Sequence, residues 1–282
     1  MKAQQIWQCG CYALPLDRPL VMGIVNVTPD SFSDGGKWIS RDKAIEHALE
    51  LKAQGADILD IGGESTRPGS LSVSLEEELD RVIPIVQALK EEGIPLSVDT
   101  NKSEVMSEAL SAGATIINDV WALRKEGAEA VVAESDCGIC LMHMQNDPKT
   151  MQIAPTYKDF LNEVKGFLKE RAEKLESLGV ARDRICIDPG FGFGKTVSQN
   201  FELLHKADEF VDMGYAVLYG VSRKSSLGVV AGINKAGERL IPSVVAAVLA
   251  AERGAQILRV HDVKETVEAL KILQATQHFE DL

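Results

Sequence analysis

Long hydrophobic runs are missing from this sequence. Nothing in its 282 residues approaches the roughly 20 consecutive apolar residues that cross a bilayer. The first 19 residues carry polar and charged side chains where a secretory signal needs an apolar centre. Positive charge is also short, because 30 Lys and Arg against 42 Asp and Glu leave a net charge of −12. That balance argues against nucleic-acid and membrane partners, so an anionic ligand has to be held by a local group of cations. Cysteine is scarce. The five, Cys9, Cys11, Cys137, Cys140 and Cys186, cannot all pair and are too few for a secreted disulfide scaffold, which points to a cytoplasmic protein. Cys137-Gly-Ile-Cys140 has no second cysteine pair to complete a zinc tetrad, and in its apolar run these thiols read as core packing.

What is present has a regular beat. Apolar runs at residues 20–25, 58–61, 96–98, 115–117, 138–142, 185–187, 216–219 and 256–260 alternate with amphipathic stretches such as 41–53, 76–92, 103–111, 157–178 and 244–252. Gly55, Gly93, Gly113, Gly179, Gly214 and Gly254 close helices before the next run. Continuous short apolar runs are the pattern of parallel strands buried on both faces. Eight of them predict an α/β fold, a (β/α)8 TIM barrel of about 250 residues, in one domain over 1–282. Residues 1–19 are left as an N-terminal extension, whose Trp7 and Tyr12 suit a hairpin capping the barrel floor. An open doubly wound sheet is the rival. It is disfavoured because no run leads into a dinucleotide glycine fingerprint and because polar groups end nearly every run.

Those run ends carry the chemistry. At or just after them stand Asn26, Asp60 with Gly62-Gly63-Glu64, Asp99, Asn118, His143, Asp188, Ser222-Arg223-Lys224, and Arg259 with His261. In a (β/α)8 barrel these positions converge on one mouth. Any single Asp or Asn there could simply cap a helix; the whole set is poorly explained that way. Asp99, Asn118 and Asp188 suit the edge of a flat heterocycle with several N–H donors. Arg67, Lys224, Arg259 and His261 suit phosphate oxygens. The ligand implied is a nitrogen heterocycle carrying phosphate. Two loops, 28–36 with Phe32 and 64–70 with Arg67, read either as latches on the protein body or as lids over substrate.

Other motifs fall away. The stretch 188–196 ends like a phosphate-binding loop but has Pro189 where the first Gly belongs, and 220–224 begins like a nucleophile elbow but ends in Lys224. His143, alone at a strand end, reads as a hydrogen-bonded structural residue. Glu76-Glu77-Glu78 reads as the solvated first turn of a helix.

Taken together, residues 22–36, Asp60 to Gly69, Ser97-Val98-Asp99-Thr100, Ile117-Asn118-Asp119, residues 141–145, Asp188 to Lys195, Ser222-Arg223-Lys224-Ser225 and Arg259-Val260-His261-Asp262 resemble the signatures of the dihydropteroate synthases. The resemblance implies a folate-pathway transferase, the target of sulfonamides and usually a homodimer. It joins p-aminobenzoate to 6-hydroxymethyl-7,8-dihydropterin diphosphate and releases diphosphate with Mg2+ present. By matching position, Asp99, Asn118, Asp188 and Lys224 would hold the pterin, with Met142 and Gly220 lining its slot. Arg259 would lie against the ring and reach the diphosphate. Asn26, Arg67 and His261 would complete the diphosphate and magnesium site, Asn26 touching the metal. Phe32, Thr66, Pro68, Phe193 and Ser225 would shape the p-aminobenzoate pocket. Asp99, Lys224 and Arg67 are the expected catalytic residues. Two alternatives follow from the same resemblance. A pterin-dependent methyltransferase should lack the Ser-Arg-Lys-Ser element and the Arg67 loop, and a silent pterin-binding paralogue should show damage to the loops or to Asp99. The chain shows neither. Pro242 and Asn146 stand where many relatives have Gly, and should fit a helix's first turn and a left-handed turn respectively.

Overall fold

The structure, a computed structural model, describes residues 5–27, 37–65, 72–146 and 155–281. It opens with an antiparallel hairpin, β1 (Ile6–Cys9) and β2 (Tyr12–Pro15). Eight parallel strands follow: β3 (Leu20–Asn26), β4 (Ile58–Gly62), β5 (Leu96–Asp99), β6 (Ile116–Asp119), β7 (Gly138–Met142), β8 (Ile185–Asp188), β9 (Ala216–Tyr219) and β10 (Ile257–Val260). They close in chain order, β10 pairing with both β9 and β3, into the expected barrel. Around it lie α1 (Lys37–Ala53), α2 (Leu75–Leu89), α3 (Ser103–Ala112), α4 (Ala128–Ala133), α5 (Phe160–Ser177), α6 (Val197–His205), α7 (Ala207–Val211), α8 (Ser225–Ala231), α9 (Leu240–Glu252) and α10 (Val263–Gln277). All six glycines read as helix stops have positive φ, as does Asn146 at 62°, and Pro242 sits in the first turn of α9.

The strands are four to seven residues long and almost wholly buried, which is why each reads as an unbroken apolar run. Their two faces still differ. Outward residues such as Leu59, Val98, Ile117, Leu141, Ile187, Val217 and Leu258 pack in the main core. Inward residues form a second cluster at the bottom of the barrel, where Met22, Ile58, Ile116, Cys140, Cys186, Leu218 and Ile257 meet Trp7 and Cys9 of the hairpin. Trp7 is fully buried and its indole N–H donates to the Arg184 carbonyl at 3.0 Å. Gly138 leaves just enough room for Cys9, since a Cβ there would collide with the Cys9 thiol. The hairpin is therefore a plug for the floor. The cysteines are free, and four of them are buried.

One expectation fails. Glu78 is not part of a solvated turn. Ser74 caps α2 and its first turn is acidic, but the Glu78 side chain points inward and is almost fully buried. It accepts from the Thr100 hydroxyl at 2.6 Å and pairs with Lys102, which also reaches Glu64 at 2.6 Å. A carboxylate one helical turn from Val82 has to be paired to be buried there.

Candidate active site

Side chains two residues apart on a strand share a face. Moving two residues up from the apolar floor therefore reaches the next inward layer. Ile58 leads to Asp60, Ser97 to Asp99, Ile116 to Asn118, Cys140 to Met142, Cys186 to Asp188 and Ile257 to Arg259. The floor is dry, and the layer above it is charged. A cavity of about 430 Å3, counted out to open solvent, sits on this layer and is lined by Asp99, Asn118, Met142, Asp188, Lys224 and Arg259. Ile24, Gly220, Ser222 and His261 complete its wall, with Val120 and Phe193 opposite. Gly220 leaves the cavity clear where a side chain would approach Asp188 and Arg259.

Arg259 ties the layer together. Its Nε donates to Asp60 at 2.6 Å and its Nη2 to Asp99 at 2.8 Å. The two carboxylates are not equivalent. Asp60 also accepts from the Ser97 hydroxyl at 2.5 Å and from the Asn118 amide at 3.3 Å, so both its oxygens are satisfied. Asp99 Oδ1 is buried and has no hydrogen-bond partner among the described residues. Burial pushes the Asp99 carboxyl up to about 7, because the guanidinium that pulls it down is shared with Asp60. A buried acceptor without a donor is costly and marks a place for a ligand's N–H.

Asp188 and Lys224 form the facing group. Asp188 accepts from the Gly190 amide at 2.7 Å, and burial raises its carboxyl against the pull of that bond and of Lys224. Lys224 donates to the Phe191 carbonyl at 2.8 Å and lies 3.9 Å from the centre of the Phe193 ring. Burial lowers its ammonium to about 7. Its direction is set by Arg223, a non-glycine residue with φ of 58°. That left-handed turn is held from three sides, by the Ser243 hydroxyl on the Arg223 amide, by Asp262 on its guanidinium, and by Arg239 on its carbonyl. Ser222, just before the turn, accepts the His261 amide at 3.2 Å and meets the His261 ring at 3.0 Å.

Of the residues singled out from sequence, Asp99, Asn118, Met142, Asp188, Phe193, Gly220, Lys224, Arg259 and His261 share this one cavity. Asn26 ends β3 near Gly62 but does not line the cavity, and Ser225 is exposed at the start of α8. Phe32, Thr66, Arg67 and Pro68 lie outside the described residues. The Arg259 guanidinium is engaged by two carboxylates, a role the sequence reading did not give it. The strand-end pattern gives Asp60 no role, although its place within an apolar run is the available signal for a buried, paired charge. His143 is the bonded residue expected: Lys195 Nζ lies 2.9 Å from its Nδ1, and burial with the nearby Lys195 charge lowers the imidazole to about 2.

A family profile described as pterin binding enzyme matches residues 22–261. The chain belongs to this family. The dihydropteroate synthase of Neisseria meningitidis serogroup B is 50% identical over 279 residues, 97% of this chain and 98% of the relative. The structure of Xanthomonas albilineans dihydropteroate synthase with 4-aminobenzoic acid superposes with a TM-score of 0.93 at 50% identity, covering 98% of this chain and 99% of that one. Burkholderia cenocepacia dihydropteroate synthase complexed with 7,8-dihydropteroate gives 0.90 at 47% identity, covering 99% and 98%. For a pterin binding enzyme the paired acceptors around an open ring-sized slot are the relevant feature.

Proposed function

We propose that the chain is a dihydropteroate synthase, a transferase that condenses 6-hydroxymethyl-7,8-dihydropterin diphosphate with p-aminobenzoate in folate biosynthesis. It works as one barrel unit with residues 1–19 as its extension. The observation that carries the reading is the orphaned Asp99 oxygen in a cavity shared with Asn118, Asp188 and Lys224. This set offers acceptors and donors to the edge of a pterin, and the relatives' bound ligands, product and arylamine, support the same substrates. In the reaction the C–O bond to diphosphate breaks, and its electron pair leaves with the oxygen. The dihydropterin ring spreads the positive charge left on the methylene carbon, and the arylamine nitrogen then forms the new C–N bond and loses a proton. Asp99 would stabilise that cation through space, while Arg259 and His261 would face the departing charge. An arylamine is neutral at pH 7 and already nucleophilic, so no strong base is required.

Magnesium is part of the proposal. Among the described residues no group of three His, Cys, Asp or Glu side chains could hold a metal. The amide oxygen of Asn26 at the end of β3 is a hard donor, and one protein oxygen beside substrate phosphates suits Mg2+, which keeps most of its waters. When bound it would neutralise charge on the diphosphate. A homodimer is supported by the exposed apolar side chains of Val229 and Val230 on α8, Ile241, Val245 and Leu249 on α9, and Ile272 on α10. A cytoplasmic location is supported by the free thiols; among the described residues no helix is long and apolar enough to cross a membrane.

The test is direct. Purified protein with Mg2+ and both substrates should release diphosphate and form dihydropteroate in equal amounts, only when p-aminobenzoate is present. Release that neither needs the arylamine nor yields the coupled product would overturn the assignment and favour a different pterin chemistry.

A further inference from the structure

Lys195 is buried with no carboxylate ion pair among the described residues, and burial lowers its amine well below the usual lysine range. It has three neutral acceptors instead: the Phe193 carbonyl at 2.9 Å, His143 Nδ1 at 2.9 Å and the His143 carbonyl at 3.4 Å. Burying an amine this way is expensive, and a methionine would fill similar space without that penalty. The arrangement has a local logic. The loop from Gly190 to Gly194 lies flat against residues 143–145. A Cβ on Gly190 would collide with the His143 carbonyl, and one on Gly194 would come within 2.8 Å of the Gln145 side chain and 3.0 Å of its carbonyl. Three loop carbonyls are gripped by side-chain donors: Phe191 by Lys224 at 2.8 Å, Phe193 by Lys195, and Gly194 by the Tyr157 hydroxyl at 2.7 Å. Asn200 holds the Gly192 amide at 2.6 Å. The result is an alternation, with Phe191 down in the main core and Phe193 up beside Val120, Met142 and Met144 in the cavity wall.

We infer that Lys195 and Tyr157 clamp the 190–194 loop and thereby set the position of Phe193, which makes them positioning residues for the arylamine rather than for the pterin. The inference rests on the synthase reading above and on the place in the arylamine pocket that the resemblance implies for Phe193. The pterin contacts come from strand residues: Asp99 and Asn118 lie clear of the clamp, and Asp188 meets the loop only at its first residue, through the Gly190 amide. Lys224 stands between the two systems, since it bonds Phe191 and faces the Phe193 ring.

The experiment compares Lys195→Met and Tyr157→Phe with the parent enzyme, measuring kcat, the KM for p-aminobenzoate, and the Kd of 6-hydroxymethylpterin by calorimetry. Lys195→Met should raise the arylamine KM about tenfold and Tyr157→Phe about threefold, while the pterin Kd stays within about twofold. In a Phe193→Ala background the same changes should add less than about twofold, because the side chain they act through is gone. A merely structural role would lower the active fraction and Tm without splitting the two affinities. The inference is overturned if pterin Kd and arylamine KM rise together, or if the effects multiply in full with Phe193→Ala. Should Lys195→Met fail to fold, Tyr157→Phe decides alone, and an unchanged arylamine KM there is a negative result. A parent enzyme that couples no arylamine at all defeats the synthase assignment itself, before any variant is made.

Discussion

The two ends of this barrel solve opposite problems with the same strands. At the floor, inward side chains are apolar, the thiols of Cys140 and Cys186 sit on neighbouring strands, and Trp7 closes the gap. Two residues further up, the inward positions carry charge, and the buried Asp60 and Asp99 share a half-buried Arg259. The floor stabilises; the mouth stores unsatisfied bonding capacity. Within the mouth the contrast recurs between Asp60, whose oxygens are all occupied, and Asp99, one oxygen of which has no partner among the described residues. Two carboxylates on one guanidinium leave a net negative charge in a buried place, so the second carboxylate is a liability until a ligand donates to it.

The largest effect should come from the floor. Trp7→Ala opens a cavity under the plug and should cost about 3–5 kcal/mol of unfolding free energy by denaturant titration, with KM values unchanged for the folded fraction. A loss of substrate affinity in the folded protein would break the separation of the two ends. Next comes Asp99→Asn, which should lower kcat about a hundredfold or more while raising the pterin Kd by less than about tenfold. Equal losses would make Asp99 a binding group only. The variant's Tm without ligand should match or exceed the parent's, since Asp60 still pairs with Arg259.

The third prediction sharpens that last point. The Asp99 carboxyl titrates higher in the folded protein, near 7, than the ordinary 3.8. Its contribution to stability is therefore complete below about 3.8 and is lost as pH rises through about 7. The Tm advantage of Asp99→Asn over the parent should grow between pH 5 and 8, and a constant difference would contradict the burial argument. In kcat/KM the same group sets an acid limb as Asp99 gains a proton, and Lys224, lowered to about 7, sets an alkaline limb as it loses one. The profile should be a narrow bell centred near 7, with the acid limb absent in Asp99→Asn.

Much of this was legible in the sequence, for identifiable reasons. Strands buried on both faces and helices closed by glycine leave a local pattern, and the barrel follows from repeating it. The apolar runs stop one residue short of the strands at Asp99 and Asp188, because a polar inward residue ends the run while the backbone ladder continues through it. Asp99, Asn118, Asp188 and Arg259 stood out as polar residues at regular places. The pairing of Asp60 with Arg259, 199 positions later, left no local trace. Neither did the hold of Lys195 on His143, which acts partly through a backbone carbonyl that every residue possesses. Glu78 misled because acids in a helix's first turn are usually wet, and only the position of Lys102 in space makes this one dry.

The plugged floor has a kinetic corollary. A vessel with one opening imposes a queue: whatever occupies the deepest berth must arrive first. The heterocycle resting on Arg259 and Asp99 would be walled in by its co-substrate, so an amine that docked early would bar the door to turnover.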